Sequence, residues 1–401
     1  MKLVEKFFKK GSVYFEKGAK LHKLYYLWEA ADTFFMTPGK ATTGSVHVRD
    51  GLDLKRMMTF VMISLLPCIL FGLYNVGYQS NVVLSGNGLH LIPGFRGELL
   101  NYFNITADPQ NILFCFLHGA TYFIPIFVVT LVVGIFWEVL FSSVRKEEVN
   151  EGFFVTAPLY ALILPPTIPL WQVALGISFG VVIAKEVFGG TGMNFLNPAL
   201  AARAFLFFAY PAEISGDLVW IAVDGHTGAT ALSQFAASGN SVYSFMDAFI
   251  GKIPGAIGET SAIACILGGI FLIVTKVGSY RIILSCIFGA MATSFMFNFI
   301  GSTTNHMFNI PAYYHLVYGG FMFGCVFMAT DPVSGAQTLL GQYFYGLLIG
   351  VMVILVRVVN PAYPEGMMLS ILFANVFAPL IDYFVIAANI KRRRNRCQTT
   401  A

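Results

Sequence analysis

Residues 111–141 read NILFCFLHGATYFIPIFVVTLVVGIFWEVLF, a stretch whose only acidic or basic side chains are those of His118 and Glu138. An α-helix needs about 20 apolar residues to cross a bilayer core of about 30 Å, so this stretch predicts a transmembrane helix. The whole chain has the same character: of its 401 residues 56% are hydrophobic and 11% charged, and the mean hydropathy is +0.70. A soluble protein could not bury so much apolar surface. We therefore predict an all-α polytopic membrane protein.

Ten apolar runs, this one included, are able to supply membrane helices if short or broken helices are allowed. They cover residues 57–74, 111–141, 153–165, 171–188, 198–210, 262–277, 280–300, 312–329, 341–359 and 367–388. Runs 153–165 and 198–210 are too short to span a bilayer alone and are bounded by prolines. Such broken helices are tolerated at membrane depth only where protein or a cavity covers the loose backbone.

The basic residues predict the orientation of the chain. Of the 25 Lys and Arg residues, 11 lie in residues 1–56 and five in residues 391–396. Basic segments stay on the cytoplasmic side, so both termini are predicted to be cytoplasmic, in agreement with an even number of helices. Two basic tails flanking an apolar chain suit anionic membrane lipid better than nucleic acid.

The two halves of the chain share short stretches of similar sequence. Residues Gly152–Phe154 resemble Gly320–Met322, and residues Gly192–Asn194 resemble Gly366–Met368. Five helices per half is an odd number, so the second copy must enter the membrane from the other side, which predicts an inverted repeat. The predicted domains are a cytoplasmic extension (1–56), a first repeat (57–210), an external loop (211–261), a second repeat (262–390) and a cytoplasmic tail (391–401).

The external loop contains the sequence DGHTGAT at residues 224–230. Small polar residues and glycines are common in surface turns, which is the simplest interpretation. The form D-x-x-[ST]-G-A-T, however, resembles the recognition sequence at which a flavin transferase attaches FMN through its phosphate to a threonine hydroxyl. The resemblance implies that Thr230 carries covalent FMN and that Asp224, Thr227, Gly228 and Ala229 belong to the recognition motif.

Four further stretches, residues 148–154, 185–200, 327–334 and 357–366, resemble the B subunit of the sodium-translocating NADH:quinone oxidoreductase family. The resemblance runs nearly end to end. The D subunit of the Rnf ferredoxin:NAD oxidoreductase is a near relative that shares the flavin motif. The basic N-terminal extension and residues 357–366 favour the quinone reductase.

The resemblance implies a subunit of a six-subunit complex in the bacterial inner membrane. In this family, electrons from NADH oxidised on another subunit reach FMN on the B subunit. A non-covalent riboflavin on the same subunit then reduces ubiquinone while Na⁺ leaves the cell. The chain itself contains neither a Rossmann fingerprint in its strand–helix context nor a Walker A loop, so we do not expect it to bind NADH. Its six cysteines occur singly, so we expect no iron–sulfur or zinc site made by this chain alone.

The segment before the fifth predicted helix is a candidate riboflavin site. Free backbone donors and the positive end of a helix suit the carbonyls of an isoalloxazine, and Gly192, Asn194 and Asn197 lie in this segment. Alternatively, the two asparagines only cap a broken helix. Arg203, in the same short helix, predicts a buried anion or helix-end carbonyls nearby, but its partner is not evident from the sequence.

Acidic residues in or beside apolar runs are costly and usually mark ion or proton routes. Glu138, Asp331 and Asp382 are therefore candidates for quinone or ion coupling, although an acid within a turn of the interface can also reach water. Gly134 lies one helical turn before Glu138 and would let a flat ring or a neighbouring helix come close. A sodium site needs several hard oxygens, from carboxylates, hydroxyls and the carbonyls of bent helices, rather than one acid.

The N-terminal segment 21–31 mixes apolar, aromatic and charged residues, Glu29 among them, and suits a helix in the membrane interface. It would line an entrance for a lipid-soluble quinone or pack on a partner subunit. A different class of protein also stays open, because inverted five-helix repeats with broken helices build solute channels and transporters. A covalent flavin would exclude a plain channel.

Overall fold

The computed structural model describes residues 54–89, 94–145, 152–223, 228–360 and 365–399, together with positions 11, 14, 15, 25 and 28. These ranges contain helices and no strand. The α-helices are α1 (Leu54–Gly86), α2 (Phe95–Tyr102), α3 (Ile112–Arg145), α4 (Phe153–Ile163), α5 (Leu170–Val182), α6 (Pro198–Ala209), α7 (Pro211–Ile214), α8 (Ala231–Ser238), α9 (Phe245–Ile250), α10 (Ala262–Val274), α11 (Tyr280–Ile300), α12 (Tyr314–Val317), α13 (Phe321–Phe323), α14 (Leu339–Val359) and α15 (Met367–Thr399). Short 3-10 helices cover Glu186–Phe188 and His306–Asn309, and a π-helical turn, Gly324–Met328, continues α13.

Within the described residues, six helical segments are long and apolar enough to cross a membrane. They contain α1, α3, α5 with the 3-10 turn that follows it, α11, α14 and α15, and three shorter apolar helices, α4, α6 and α10, accompany them. Large apolar side chains such as Phe288, which is 67% exposed, cover the outside of these helices, where a lipid environment would satisfy them. The prediction of an all-α polytopic membrane protein is confirmed.

The two helices predicted to be broken end where their prolines require. Helix α4 stops at Ile163, before Pro165 and Pro166. Helix α6 begins at Pro198, which fits the first helical position because its missing N–H would be unpaired there anyway, and it ends before Pro211. The local chemistry of proline was therefore sufficient to predict both breaks.

The predicted run 312–329 is not one helix, and this corrects the sequence interpretation. Helix α12 ends at Val317, and the helical segment that follows begins only at Phe321. Gly319 and Gly320 between them both have φ +66°, a left-handed conformation that only glycine adopts readily.

A buried arginine stabilises this break by hydrogen-bonding its carbonyls. Arg357 of α14 is fully buried and donates hydrogen bonds to the carbonyls of His315 (2.7 Å), Tyr318 (2.9 Å) and Gly319 (3.1 Å). These carbonyls belong to the break that a continuous helix would have closed with backbone bonds. The guanidinium therefore replaces the missing backbone donors.

The two halves share a pattern of helix contacts. In the first half, α4 contacts α1, α3 and α6, and α5 contacts α3 and α6. In the second half, α13 with its π turn contacts α10, α11 and α15, and α14 contacts α11 and α15. The extensive crossing of α1 with α3 has no comparable counterpart between α10 and α11. The shared pattern supports a repeat, while the inverted orientation and the domain boundaries stay predictions.

Candidate functional site

A cleft of about 780 Å³ lies between the two halves. Its walls come from the start of α1 and α4, the segment between α5 and α6, the end of α10 and the residues after the π turn. Three predicted site residues meet there: Asn194, Asn197 and Asp331.

The two asparagines are buried and held differently. Asn197 caps α6 by accepting from the backbone N–H groups of Ala199 (3.1 Å) and Leu200 (3.3 Å), and it donates to Asp331 (3.4 Å). The capping alternative therefore applies to Asn197, whose carbonyl oxygen uses two of the donors that were predicted to be free. Asn194 does not cap the helix. Its side chain donates to the carbonyl of Leu196 at 2.9 Å and accepts from its own loop.

Gly192 shapes this loop without lining the cleft. It has φ +92° and an open surround, and its N–H donates to the side chain of Asn194 at 3.3 Å. Thr191 beside it does line the cleft, and its buried Oγ1 has no hydrogen-bond partner among the residues that the structure describes. A buried hydroxyl without a partner is costly, so this atom marks a place where a ligand or water would bind.

Asp331 joins the two halves at the cleft. Its carboxylate accepts from the hydroxyl of Ser334 (2.8 Å), the backbone N–H of Val333 (3.1 Å) and the amide of Asn197. Burial raises the pKa of Asp331, while the hydrogen bonds from Val333 and Ser334 lower it. The residue is thus a buried acid at the junction of α6 with the second half.

Glu138 forms a buried ion pair with Lys185. Lys185 Nζ lies 2.5 Å from Glu138 Oε1, and the two side chains are 2% and 4% exposed. Lys185 lines the cleft, whereas Glu138 is not part of its wall. Glu186, 3.9 Å from the same ammonium, pairs with Arg145 at 2.6 Å. Glu138 is therefore a paired internal charge rather than an acid at an open surface.

Gly134 and Asp382 lie apart from the cleft wall. A Cβ at Gly134 would overlap the ring of Phe153, so the neighbouring helix α4 already uses the space that this glycine leaves. Asp382 accepts hydrogen bonds from the backbone N–H groups of Gln337 (2.7 Å) and Thr338 (3.0 Å) and thus holds the start of α14. The predicted residue Glu29 lies outside the described residues.

Thr230 is the N-cap of α8. Its Oγ1 accepts from the N–H of Ser233 (3.3 Å) and lies 3.0 Å from the Ser233 hydroxyl. The backbone N–H of Gly228 donates to the carbonyl of Asp217, and the carbonyl of Ala229 accepts from the side-chain amide of Gln234. Asp224 and Thr227 of the predicted motif lie outside the described residues.

Thr230 lines a second cavity, of about 400 Å³. The segment before α10, the Gly319–Gly320 break and the residue before Gly366 form its other walls, with Glu259 and Glu365 among them. Residues before α10 line this cavity, and residues at the end of α10 line the cleft. The two sites therefore lie at opposite ends of α10, separated by about 20 Å at 1.5 Å per residue.

The structure supplies the partner of Arg203 that the sequence left open. The guanidinium pairs with Glu259 (2.8 Å) and Glu365 (2.7 Å), which lie 56 and 162 residues further along the chain. Burial raises the pKa of Glu259 to about 7, although the charge of Arg203 lowers it. Neither acid was a predicted site residue, because each lies in a loop, and only the fold brings them to α6.

Comparisons with known proteins agree with this architecture. Residues 41–391 match the family described as NQR2, RnfD, RnfE. The B subunit of the Na(+)-translocating NADH-quinone reductase of Stutzerimonas stutzeri is 60% identical over 390 residues, with 96% of each chain covered. The proteins of the same name from Azotobacter vinelandii and Chromohalobacter salexigens are each 57% identical, covering 95% and 96% of this chain and 96% and 94% of their own. Matches of this length, on the helices that build the cleft and the Thr230 cavity, show that the chain belongs to the NQR2, RnfD, RnfE family.

Proposed function

We propose that the chain is the flavin-bearing B-type membrane subunit of a Na⁺-translocating NADH:ubiquinone reductase. The observation that carries the proposal is the placement of Thr230, a hydroxyl that lines a cavity and lies in a sequence resembling a flavin-attachment motif. The names of relatives 57–60% identical over nearly the whole chain support it. Electrons would enter from a partner subunit in a six-subunit complex of the bacterial inner membrane, with both termini of this chain in the cytoplasm.

The residues present fit a covalent FMN. An attached flavin would carry two-electron redox chemistry next to the cavity, while the chain supplies the Thr230 hydroxyl as the attachment point. Because α8 starts at Thr230, the hydroxyl is held at a helix N-terminus, where a phosphate group is electrostatically favoured. Mass spectrometry of the intact subunit tests the proposal: one added FMN phosphoester is expected, and an unmodified mass would contradict it.

The cleft fits a non-covalent riboflavin. The amides of Asn194 and Asn197 line the cleft together with the Thr191 hydroxyl, and these groups offer polar contacts to a flat ring system. With FMN at the other end of α10, the two flavins would serve opposite sides of the membrane, and a relay between them is required. Ubiquinone would be reduced near the cleft and Na⁺ exported, with Gly134, Glu138, Asp331, Asp382 and Glu29 as candidates for the coupling.

Replacing both Asn194 and Asn197 by alanine should lower the riboflavin extracted from the purified complex at least several-fold while leaving covalent FMN unchanged. The reason is that the change removes two amide contacts from the cleft wall. Because Asn197 also caps α6, an Asn197→Asp variant, which keeps the cap, serves as the control for helix stability. Riboflavin content equal to wild type in the double variant would contradict the site.

Glu138→Gln should weaken the stimulation of quinone reduction by Na⁺ while leaving the apparent quinone KM near that of wild type. Glu138 lies behind Lys185 rather than in the cleft wall, so its charge is placed to act on a cation more readily than to touch a quinone. Steady-state quinone reduction titrated against Na⁺ and against quinone measures both effects. A raised KM with normal Na⁺ stimulation would assign Glu138 to the quinone site instead, and no change in either would exclude it from both quinone binding and ion coupling.

A further inference from the structure

Lys185 is a buried cation in the wall of the cleft. Its side chain is only 2% exposed, yet it lines the cleft together with Asn194 and Asn197. Removing an ammonium group from water costs several kcal/mol unless good partners compensate for it. A lysine retained at such a position therefore calls for a reason beyond packing.

Two carboxylates lie near the Lys185 ammonium. Glu138 is its close counter-ion at 2.5 Å, and the nearer oxygen of Glu186 is 3.9 Å away. Glu186 is itself engaged by Arg145, whose second guanidinium nitrogen also donates to the Glu186 carbonyl. Lys185 lines the cleft and Glu138 does not, so Lys185 is the member of the pair that a molecule in the cleft would meet.

We propose that Lys185 is the charge-stabilising residue of the flavin site, with Glu138 as the counter-ion that moderates its field. This inference rests on the proposed function, which puts a flavin in the cleft. Two-electron reduction of an isoalloxazine with uptake of one proton leaves one negative charge on the ring. The electrons would come from the covalent FMN and the proton from water, with no proton taken from Lys185. A fixed positive charge beside the ring favours that product in a low-dielectric site.

The pair predicts changes of opposite sign in the riboflavin midpoint potential. Lys185→Met removes the cation and should lower the potential, whereas Glu138→Gln leaves the cation uncompensated and should raise it. We expect at least a tenfold change in the ratio of reduced to oxidised flavin at fixed potential in each case, which is about 30 mV for a two-electron couple. A residue that only supported the fold would not give opposite shifts.

The test is a spectroelectrochemical titration of the riboflavin in the purified complex, with flavin content measured in parallel. Lys185→Arg keeps the charge and should stay near the wild-type potential. Lys252 precedes α10, at the end of that helix far from the cleft, and its ammonium lies over the ring of Tyr78. Lys252→Met therefore removes a distant cation and should have no effect. The double variant Lys185→Met/Glu138→Gln should shift less than Lys185→Met, because both charges are removed together.

The inference is overturned if Lys185→Met retains riboflavin at the wild-type potential, or if both single variants shift in the same direction. Should Lys185→Met assemble without riboflavin, the Glu138→Gln complex decides, and a potential that is unchanged or lowered there rejects the proposal. Loss of riboflavin in the Asn194/Asn197 variant with no shift at Lys185 would reject this inference alone. Retention of riboflavin in that variant together with no shift would reject the flavin site as well.

Discussion

Thr230→Ala should abolish covalent flavin: the subunit, inserted in the membrane at normal amounts, should show no fluorescence on a denaturing gel. The phosphoester needs the threonine oxygen, so its removal leaves no attachment point, and the loss should be complete rather than partial. The substitution also removes the N-cap of α8, which costs about 1 kcal/mol. A second variant is therefore needed to separate the chemistry from the stability of the helix.

Thr230→Asn supplies that control, because asparagine is a good N-cap without a hydroxyl. It should be as dark as Thr230→Ala although α8 is capped. Ser233→Ala tests the hydroxyl that lies only 3.0 Å from Thr230 Oγ1 and should keep full fluorescence. In-gel fluorescence in the alanine or asparagine variant, or its loss in Ser233→Ala, would place the flavin on another residue.

Arg203→Met should destabilise the subunit strongly. The change leaves two carboxylates, Glu259 and Glu365, facing each other without the cation that both now contact. Removing one partner of a buried pair costs about 3–5 kcal/mol, since the remaining charge stays buried and unpaired. We expect the melting temperature in detergent, measured by fluorescence-detected size exclusion, to fall by several degrees.

The effect should depend on pH. In the wild-type fold the pKa of Glu259 is raised from 4.5 to about 7, so its folded form holds a proton more tightly than the unfolded chain does. The stabilisation from that proton is complete below about pH 4.5 and is lost as the pH rises through about 7. Without Arg203 the raised pKa should move higher still, so Arg203→Met should lose more stability at pH 8 than at pH 6.

Two further variants separate charge from shape. Adding Glu259→Gln and Glu365→Gln to Arg203→Met should recover part of the lost stability, because no unpaired charge remains. Arg203→Lys should be intermediate, since an ammonium cannot contact both carboxylates with the planar geometry of a guanidinium. A melting temperature for Arg203→Met equal to that of wild type at both pH values would contradict the role of this cluster.

Features encoded locally were predictable from the sequence. The lengths of the apolar runs predicted the membrane segments. Pro165, after Ile163, and Pro198 predicted the two breaks, because proline restricts the backbone only of itself and its neighbours. The capping of α6 by Asn197 was one of the two alternatives that the sequence offered for the asparagines, and a cap is likewise a local interaction. The eighth run was wrong as a single segment, since two adjacent glycines in an apolar stretch are compatible with a packed helix as well as with a turn.

Pairings between distant segments were not predictable. The sequence marked Glu138 as an unusual membrane acid, but its contact with Lys185 depends on how the end of α5 packs on α3. Arg203 predicted some anion, and its two acids come from separate loops. A single sequence contains the charges but not their distances, so the cleft and the Thr230 cavity became visible only in the folded chain.

The arginine that hydrogen-bonds the carbonyls of the Gly319–Gly320 break restricts which substitutions the chain tolerates. Arg357 lies on α14, 38 to 42 residues from the carbonyls it satisfies, and a Cβ at Gly319 would come within 3.1 Å of its guanidinium. The turn therefore depends on two separate parts of the sequence. The two glycines permit its backbone conformation, and the side chain of Arg357 binds the carbonyls that the turn leaves free. A substitution at Gly319 or Gly320 should therefore affect Arg357, and a substitution at Arg357 should affect the turn. A second mutation that compensates for a change at one of these positions is expected at the other.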